Sequence, residues 1–216
     1  MKRIAVLCLV ALLLLAGCGR KQEEESPYQD VPNPIATITL QDGSVMRAEL
    51  FLQDAPNTVA NFVELANSGF YDGLEIFRVV TGVLIQTGDP NNDGTGGPGY
   101  SIRGEFSENG YENPVSHSRG TLSMARLVND KDSAGSQFFI LQGSYPEYDG
   151  RYAAFGRLMD EESLQVLDRV AGTAVDSNYC PLVQYLIETI RVDTQGHSFS
   201  VIKIQDEEAT TTQGDA

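Results

Sequence analysis

One cation lies inside an apolar stretch of this chain. Arg78 is flanked by Leu74, Ile76, Phe77, Val79 and Val80, and the run continues through Val83, Leu84 and Ile85 to Gln86 and a glycine-rich loop. A charge is rarely withdrawn from water without a partner or a task. Arginine stays ionised and presents several donors in a fixed fork, which suits it to act as a directed donor. Two later runs, Leu122-Ser123-Met124-Ala125 and Gly135-Ser136-Gln137-Phe138-Phe139-Ile140, mix strand-forming apolar residues with isolated polar ones in the same way. Other chemistries find less support. The loop Asp93-Gly94-Thr95-Gly96-Gly97-Pro98-Gly99 looks like a phosphate cradle but lacks the Gly-Lys-Ser/Thr ending and a following helix. Ser116-His117-Ser118 has no nucleophile elbow beside it and reads as a turn with a histidine. Two histidines, His117 and His197, and a single downstream thiol, Cys180, are too widely spaced for a metal-ligand set.

The elements that must position these residues are mostly strands. Ile35 to Leu40 and Val45 to Phe51 flank Gln41-Asp42-Gly43-Ser44, with Met46, Ala48 and Leu50 alternating against Arg47 and Glu49, which is a hairpin pattern. Asp54-Ala55-Pro56 starts a helix whose Val59, Phe62, Val63 and Ala66 share one face before Gly69 ends it. A second helix is expected over Glu161 to Val170, with an acidic first turn and Leu164, Leu167 and Val170 on roughly one side. From Leu74 onward, short apolar runs separated by Gly, Pro, Asn and Asp indicate many short strands. Strands in the majority with two helices read as a closed or nearly closed β-barrel with helical caps. Leu182 to Val192 fits either a helical face or a loop and strand.

A chain of 216 residues leaves room for one domain with a sizeable core. At the amino end, Lys2-Arg3 precedes the apolar run Ile4 to Ala16, which as a helix spans only about 20 Å, too short for a bilayer core of about 30 Å. It reads as an export signal. The run ends in Leu15-Ala16-Gly17-Cys18, which resembles the lipobox of bacterial lipoproteins, where the cysteine is acylated and becomes the first residue. The alternative is an ordinary signal peptide with an incidental cysteine. Cleavage before Cys18 removes two positive charges and no negative one, so the net charge of −15 becomes −17. Such a surface repels nucleic acid and anionic headgroups, leaving the lipid on Cys18 to hold the protein at the membrane, on its extracytoplasmic side. Cys8 leaves with the signal, so Cys180 is the one thiol of the mature domain and no internal disulfide forms. The expected organisation is therefore a leader over 1–17, a lipidated cysteine with a tether over 18–33, a folded domain over 34–205 and a disordered acidic tail over 206–216.

The segments F-R-V-V-x-G, Q-x-G-D, G-T-G-G, G-E-F, L-S-M-A, G-S-Q-F-F-I and D-G-R-Y-x-x-F-G follow one another over roughly residues 34 to 193. In order and spacing they resemble the signature of the cyclophilins, peptidyl-prolyl cis/trans isomerases. The resemblance implies an all-β fold, an eight-stranded antiparallel closed β-barrel capped by two α-helices, with a strand near Ile187 to Val192. It implies Arg78 as the catalytic residue. Val83, Leu84, Phe139 and Tyr148 would wall a proline pocket, Gln86, Ala125, Arg126 and Gln137 would meet the substrate backbone, and Tyr152 would close the rim. The expected partners are proline-containing polypeptides among exported proteins, with no cofactor or metal and a monomeric domain.

The chain also departs from the family. Phe77 stands where much of the family has histidine, and Val83-Leu84 where it has Phe-Met. Arg126 replaces a frequent asparagine, and Glu147 lies where the best-known eukaryotic members carry tryptophan. Val83 leaves a looser pocket, because a lost ring weakens apolar contact by about 1 kcal/mol or more. A second reading therefore stays open, a membrane-tethered module that binds proline-containing segments without turning them over.

Overall fold

The computed structural model describes residues 28–205. The leader 1–17, Cys18, the tether as far as residue 27 and the tail 206–216 lie outside these described residues. Within them the chain runs β1 (Ile35–Leu40), β2 (Val45–Leu50), α1 (Pro56–Asn67), β3 (Arg78–Val80), β4 (Leu84–Thr87), β5 (Tyr100–Ser101), β6 (Thr121–Met124), β7 (Phe138–Leu141), β8 (Ala154–Leu158), α2 (Glu161–Ala171), β9 (Ile187–Asp193) and β10 (Ile204–Gln205).

The hairpin forms as its alternation requires. Ile38 pairs with Met46 and Ala36 with Ala48, and the buried set Ala36, Ile38, Leu40, Met46, Ala48 and Leu50 comes from every second residue of both strands. Its turn is closed by the Asp42 carboxylate, which accepts the Ser44 N–H at 2.9 Å, with Gly43 at φ +82. All eight main strands belong to one antiparallel sheet in the order β3-β4-β7-β6-β8-β2-β1-β9, while β5 and β10 pair separately. The sheet is a curled half-barrel and not the closed barrel expected from the sequence. Its end strands β3 and β9 share no ladder, since β3 has only three residues and the chain before it is turns. A single bridge between Glu75 and Leu186, with the Gly73 N–H on the Ile187 carbonyl at 2.8 Å, links that chain to the start of β9.

The helices close the core. Phe62 of α1 sits among Phe155, Phe138 and Tyr71, with ring centroids 5.2, 5.3 and 5.4 Å away. Helix α2 opens on Asp160, whose carboxylate accepts the Ser163 N–H at 2.8 Å, and buries Leu167, Val170 and Ala171 against the sheet. Residues 28–33, expected as the last part of the tether, are instead held on the domain. The Tyr28 ring meets Phe199 edge-on at 5.5 Å, and the Asn33 side chain bridges Glu49 and the Leu52 N–H.

Helix α1 begins at Ala55, which has no side chain with which to cap it. Glu105, 4 % exposed, does so from a distance, its carboxylate accepting the N–H groups of Asn57 at 3.0 Å and Thr58 at 2.8 Å and the Thr58 hydroxyl at 2.6 Å. Burial pushes this carboxyl up in pKa, and the bonds from Thr58 and Asn57 oppose that rise. Glu105→Ala, which leaves those donors without an acceptor, is expected to cost about 1–3 kcal/mol in urea unfolding, and Glu105→Gln distinctly less. A loss below about 0.5 kcal/mol for the alanine variant would show that the cap contributes nothing.

Candidate active site

Period-2 alternation divides β4 and β7 between two apolar clusters. Ile85, Phe138 and Ile140 point into the main core, whereas Leu84, Phe139 and Leu141 point to the other face. There they meet Val80, Val83, Ala125, Tyr145, Tyr148 and Tyr152, which are partly buried. Phe139 meets Tyr148 edge-on at 6.1 Å and Tyr152 at 5.8 Å, and these two tyrosines lie 5.2 Å apart. All five apolar residues expected at a proline pocket, Val83, Leu84, Phe139, Tyr148 and Tyr152, are thus gathered in one cluster on the outer face of the sheet.

Against that cluster lies His117, read from sequence as a turn histidine but 1 % exposed in the fold. The Asp149 carboxylate accepts its backbone N–H at 2.7 Å and stands 2.9 Å from Nδ1, while Nε2 stands 3.0 Å from the Ser123 hydroxyl. The imidazole lies nearly parallel to Phe139 at 6.4 Å and meets Tyr148 edge-on at 5.9 Å. One ring therefore ties together β6, β7 and the turn that carries Tyr148. The Ser-His-Asp order invites a hydrolase reading, yet Ser123 is 0 % exposed and no ester could reach it. His117 and Asp149 stand 32 residues apart, so sequence spacing gave no signal of their pairing.

The polar side of the site begins at the β3–β4 pair, where Arg78 is registered opposite Gln86. The Arg78 guanidinium donates through Nη1 to Gln86 Oε1 at 3.0 Å, Gln86 Nε2 donates to Gln137 Oε1 at 3.0 Å, and Gln137 Nε2 donates to the carbonyls of Gly94 at 3.0 Å and Gly96 at 2.9 Å. Among the described residues no carboxylate pairs with Arg78, so it is not the structural ion pair that a buried arginine most often makes. Arg78, Gln86, Ala125, Arg126 and Gln137 line a groove of about 1010 Å³, whose far wall is the glycine-rich loop. Gln86 is also the register partner of Phe139, so the groove and the apolar cluster meet at that pair.

Two expected residues take up bonds within the chain. The Ala125 N–H donates to the Gln137 carbonyl at 3.0 Å. Arg126 donates to the carbonyls of Arg151, Leu127 and Val128 and lies over the Tyr152 ring at 4.9 Å, so it braces the loop that follows and covers that edge of the apolar cluster. The first amides of the glycine-rich loop are engaged by a buried carboxylate, which disfavours a phosphate at that end. Asp89, 0 % exposed, accepts the N–H groups of Asn91 at 2.8 Å and Asp93 at 3.1 Å. A Cβ at Gly96 would stand 2.1 Å from Asp89 Oδ1, which requires glycine there. Among the described residues no group of His, Cys, Asp or Glu could hold a metal ion, and no helix is long and apolar enough to cross a membrane.

Comparison with known proteins agrees with this geometry. The family described as cyclophilin type peptidyl-prolyl cis-trans isomerase matches residues 35–192. A peptidyl-prolyl cis-trans isomerase of Helicobacter pylori is 44 % identical over 135 residues, 62 % of this chain and 78 % of the relative. The peptidyl-prolyl cis-trans isomerase B of Bacillus subtilis is 47 % identical over 119 residues, 55 % of this chain and 79 % of that one. A crystal structure of a cyclophilin type isomerase from Cryptosporidium parvum, obtained in the presence of the dipeptide Ala-Pro, superposes with a TM-score of 0.65 at 30 % identity, covering 74 % of this chain and 98 % of that one.

Burial lowers the pKa of His117 from the ordinary histidine value of 6.5, against the opposing pull of Asp149. The unfolded chain therefore takes up that proton more readily than the folded one. The stabilising contribution is present above about pH 6.5 and is lost as pH falls through the folded value. Asp149, Tyr148 and Tyr152 are the titratable groups that face the ring. Urea-unfolding free energy is expected to decline between about pH 7 and 5 and to decline less steeply in His117→Gln. Equal slopes in the two proteins would clear His117 of this role.

Proposed function

The chain belongs to the cyclophilin-type peptidyl-prolyl cis-trans isomerases, and from that premise we propose that Arg78 drives isomerisation while the apolar cluster around Phe139 grips the proline ring. The protein is an enzyme of that activity. Amide resonance resists rotation about an X-Pro bond with a barrier of about 18–20 kcal/mol, and the uncatalysed exchange takes tens of seconds. In the twisted state the prolyl nitrogen lone pair has left the π system and becomes an acceptor. A guanidinium N–H aimed at that nitrogen stabilises the twisted state more than either planar one, which is what catalysis requires. No covalent bond to substrate forms or breaks. Val83, Leu84, Phe139, Tyr148 and Tyr152 hold the ring, and the substrate backbone beside it meets the remaining N–H of Gln86 and the remaining lone pair of Gln137 Oε1. The observation that carries this reading is the 3.0 Å bond from Arg78 to Gln86, the register partner of Phe139.

Exchange spectroscopy on an X-Pro peptide tests it. The wild type is expected to accelerate cis/trans exchange, and Arg78→Ala to bind the peptide but lose about 10²-fold in rate, the usual loss on removing one oriented donor. Peptide binding without acceleration by the wild type would instead identify a proline-segment binding module.

The leader and Cys18 support a wider proposal, in which the enzyme is lipid-anchored outside the cytoplasm, as a monomer, and acts on exported proteins. With residues 28–33 held on the domain, the ten residues from 18 to 27 reach at most about 33 Å. The active groove then works close to the membrane surface, where newly exported chains emerge. Mass spectrometry of the mature amino terminus is expected to find an acylated Cys18. An intact leader or an unmodified cysteine would overturn the anchoring.

A further inference from the structure

Between α2 and β9 the chain makes a small closed loop that none of the family motifs covers. A bridge between Val175 and Pro181 closes it. Inside, the Asp176 carboxylate accepts the N–H groups of Asn178 at 2.8 Å and Cys180 at 2.9 Å, its own N–H donates to the Cys180 carbonyl at 2.9 Å, and its carbonyl accepts the Tyr179 N–H at 3.1 Å. This network holds Tyr179 at φ +66, a left-handed conformation in which glycine or asparagine would be at ease and an aromatic residue is strained. Strain of that kind persists when the surroundings over-determine it, and it collects at functional sites.

Two contacts tie this residue to the active site. The Tyr179 carbonyl accepts the Val79 N–H at 2.8 Å, which docks the loop on the free edge of β3 at the residue next to Arg78. The tyrosine ring, half-exposed, lies 6.0 Å from the guanidinium carbon of Arg78. Arg78 is thus held by Gln86 from β4 and by an aromatic face from the 176–180 loop, and neither partner carries a charge that would neutralise it. A guanidinium bonded through one nitrogen alone can still swing about its long side chain. A ring beside it restricts that swing and leaves the remaining donors free.

We propose that Tyr179 is a positioning residue for the isomerase reaction: the strained loop holds its ring against Arg78 and thereby aims the guanidinium into the groove. The inference rests on Arg78 as the catalytic residue. It gives the strain at Tyr179 a function, since the side chain that a glycine would lack is the one in contact with Arg78.

The strain itself supplies the test. Tyr179→Gly relieves the backbone while removing the ring, and Tyr179→Asn, which also tolerates this conformation, serves as a second variant should the first fold poorly. In the full chain, both are expected to unfold in urea at or above the wild-type midpoint. In cis/trans exchange of an X-Pro peptide, both should lose about two- to fivefold in kcat, the fold-change for a lost cation–π contact of about 0.5–1 kcal/mol, with KM within about twofold. Tyr179→Phe should restore the wild-type rate, and the Arg78 Nε–Hε resonance should move in the glycine variant but not in the phenylalanine one. In an Arg78→Ala background, Tyr179→Gly should change nothing further. An unchanged kcat in Tyr179→Gly, a rise in KM alone, or an equal loss in both Arg78 backgrounds would overturn the proposal. A wild-type rate in Arg78→Ala would instead overturn the catalytic reading of Arg78 on which it rests.

Discussion

The site depends on orienting a cation without neutralising it. A carboxylate would hold Arg78 more firmly than Gln86 does, because it adds a full opposite charge and can accept two guanidinium N–H groups at once. It would also cancel most of the field that the guanidinium projects, and would raise the cost of bringing a weakly basic prolyl nitrogen to it. Gln86 supplies an acceptor at 3.0 Å and no charge. The constraint passes outward along the chain of amides. Gln86 is fixed because Gln137 accepts its N–H, and Gln137 because Gly94 and Gly96 accept in turn. That loop holds its shape because the Asp89 carboxylate gathers its backbone N–H groups. That acid is therefore spent on backbone, and two glutamines separate the loop it shapes from the cation.

The apolar half of the site follows from sheet geometry. A strand has two faces, and in β4 and β7 both are apolar, so the sheet carries its core on one side and the outer cluster on the other. An outward apolar face exposed to water is a liability unless it is covered or used. Here Tyr145, Tyr148 and Tyr152 cover its rim, with His117 packed against it. His117 has to be buried and neutral to do so, and Asp149 and Ser123 occupy its two nitrogens so that neither is left unpaired.

What could be read from the sequence was local. The β1–β2 hairpin, α1 and α2 were legible because their periodicity and caps lie within a dozen residues of one another, and the structure places them within a residue or two of expectation. The β9 strand was ambiguous by pattern, because its apolar residues fit a helical face as well as a strand, and it was settled only by pairing with β1. The residues expected at the site were named through resemblance, which gave their order along the chain. Their partners were not. Glu105 caps a helix 47 residues away, Asp149 meets His117 across 32, and the Tyr179 carbonyl meets the backbone of Val79. No composition or period carries such pairings. The curl of the sheet was hidden for a related reason, since the pattern gave many short strands, the resemblance gave eight, and neither gave the three-residue length of β3.

The departures from the family pattern can then be weighed by where they fall. Val83 packs on the outer apolar cluster, and Glu147 is exposed on the turn that carries Tyr148. Phe77 is 8 % exposed at the groove beside Arg78, where an aromatic in place of a histidine removes a titratable group from the neighbourhood of the cation. Arg126 binds its own loop with three bonds and stacks on Tyr152, so it stiffens a rim that an asparagine could not span. None of these touches the Arg78–Gln86–Gln137 chain. Those bonds hold the guanidinium at the groove through neutral partners, and none of the side chains that depart from the pattern makes one of them.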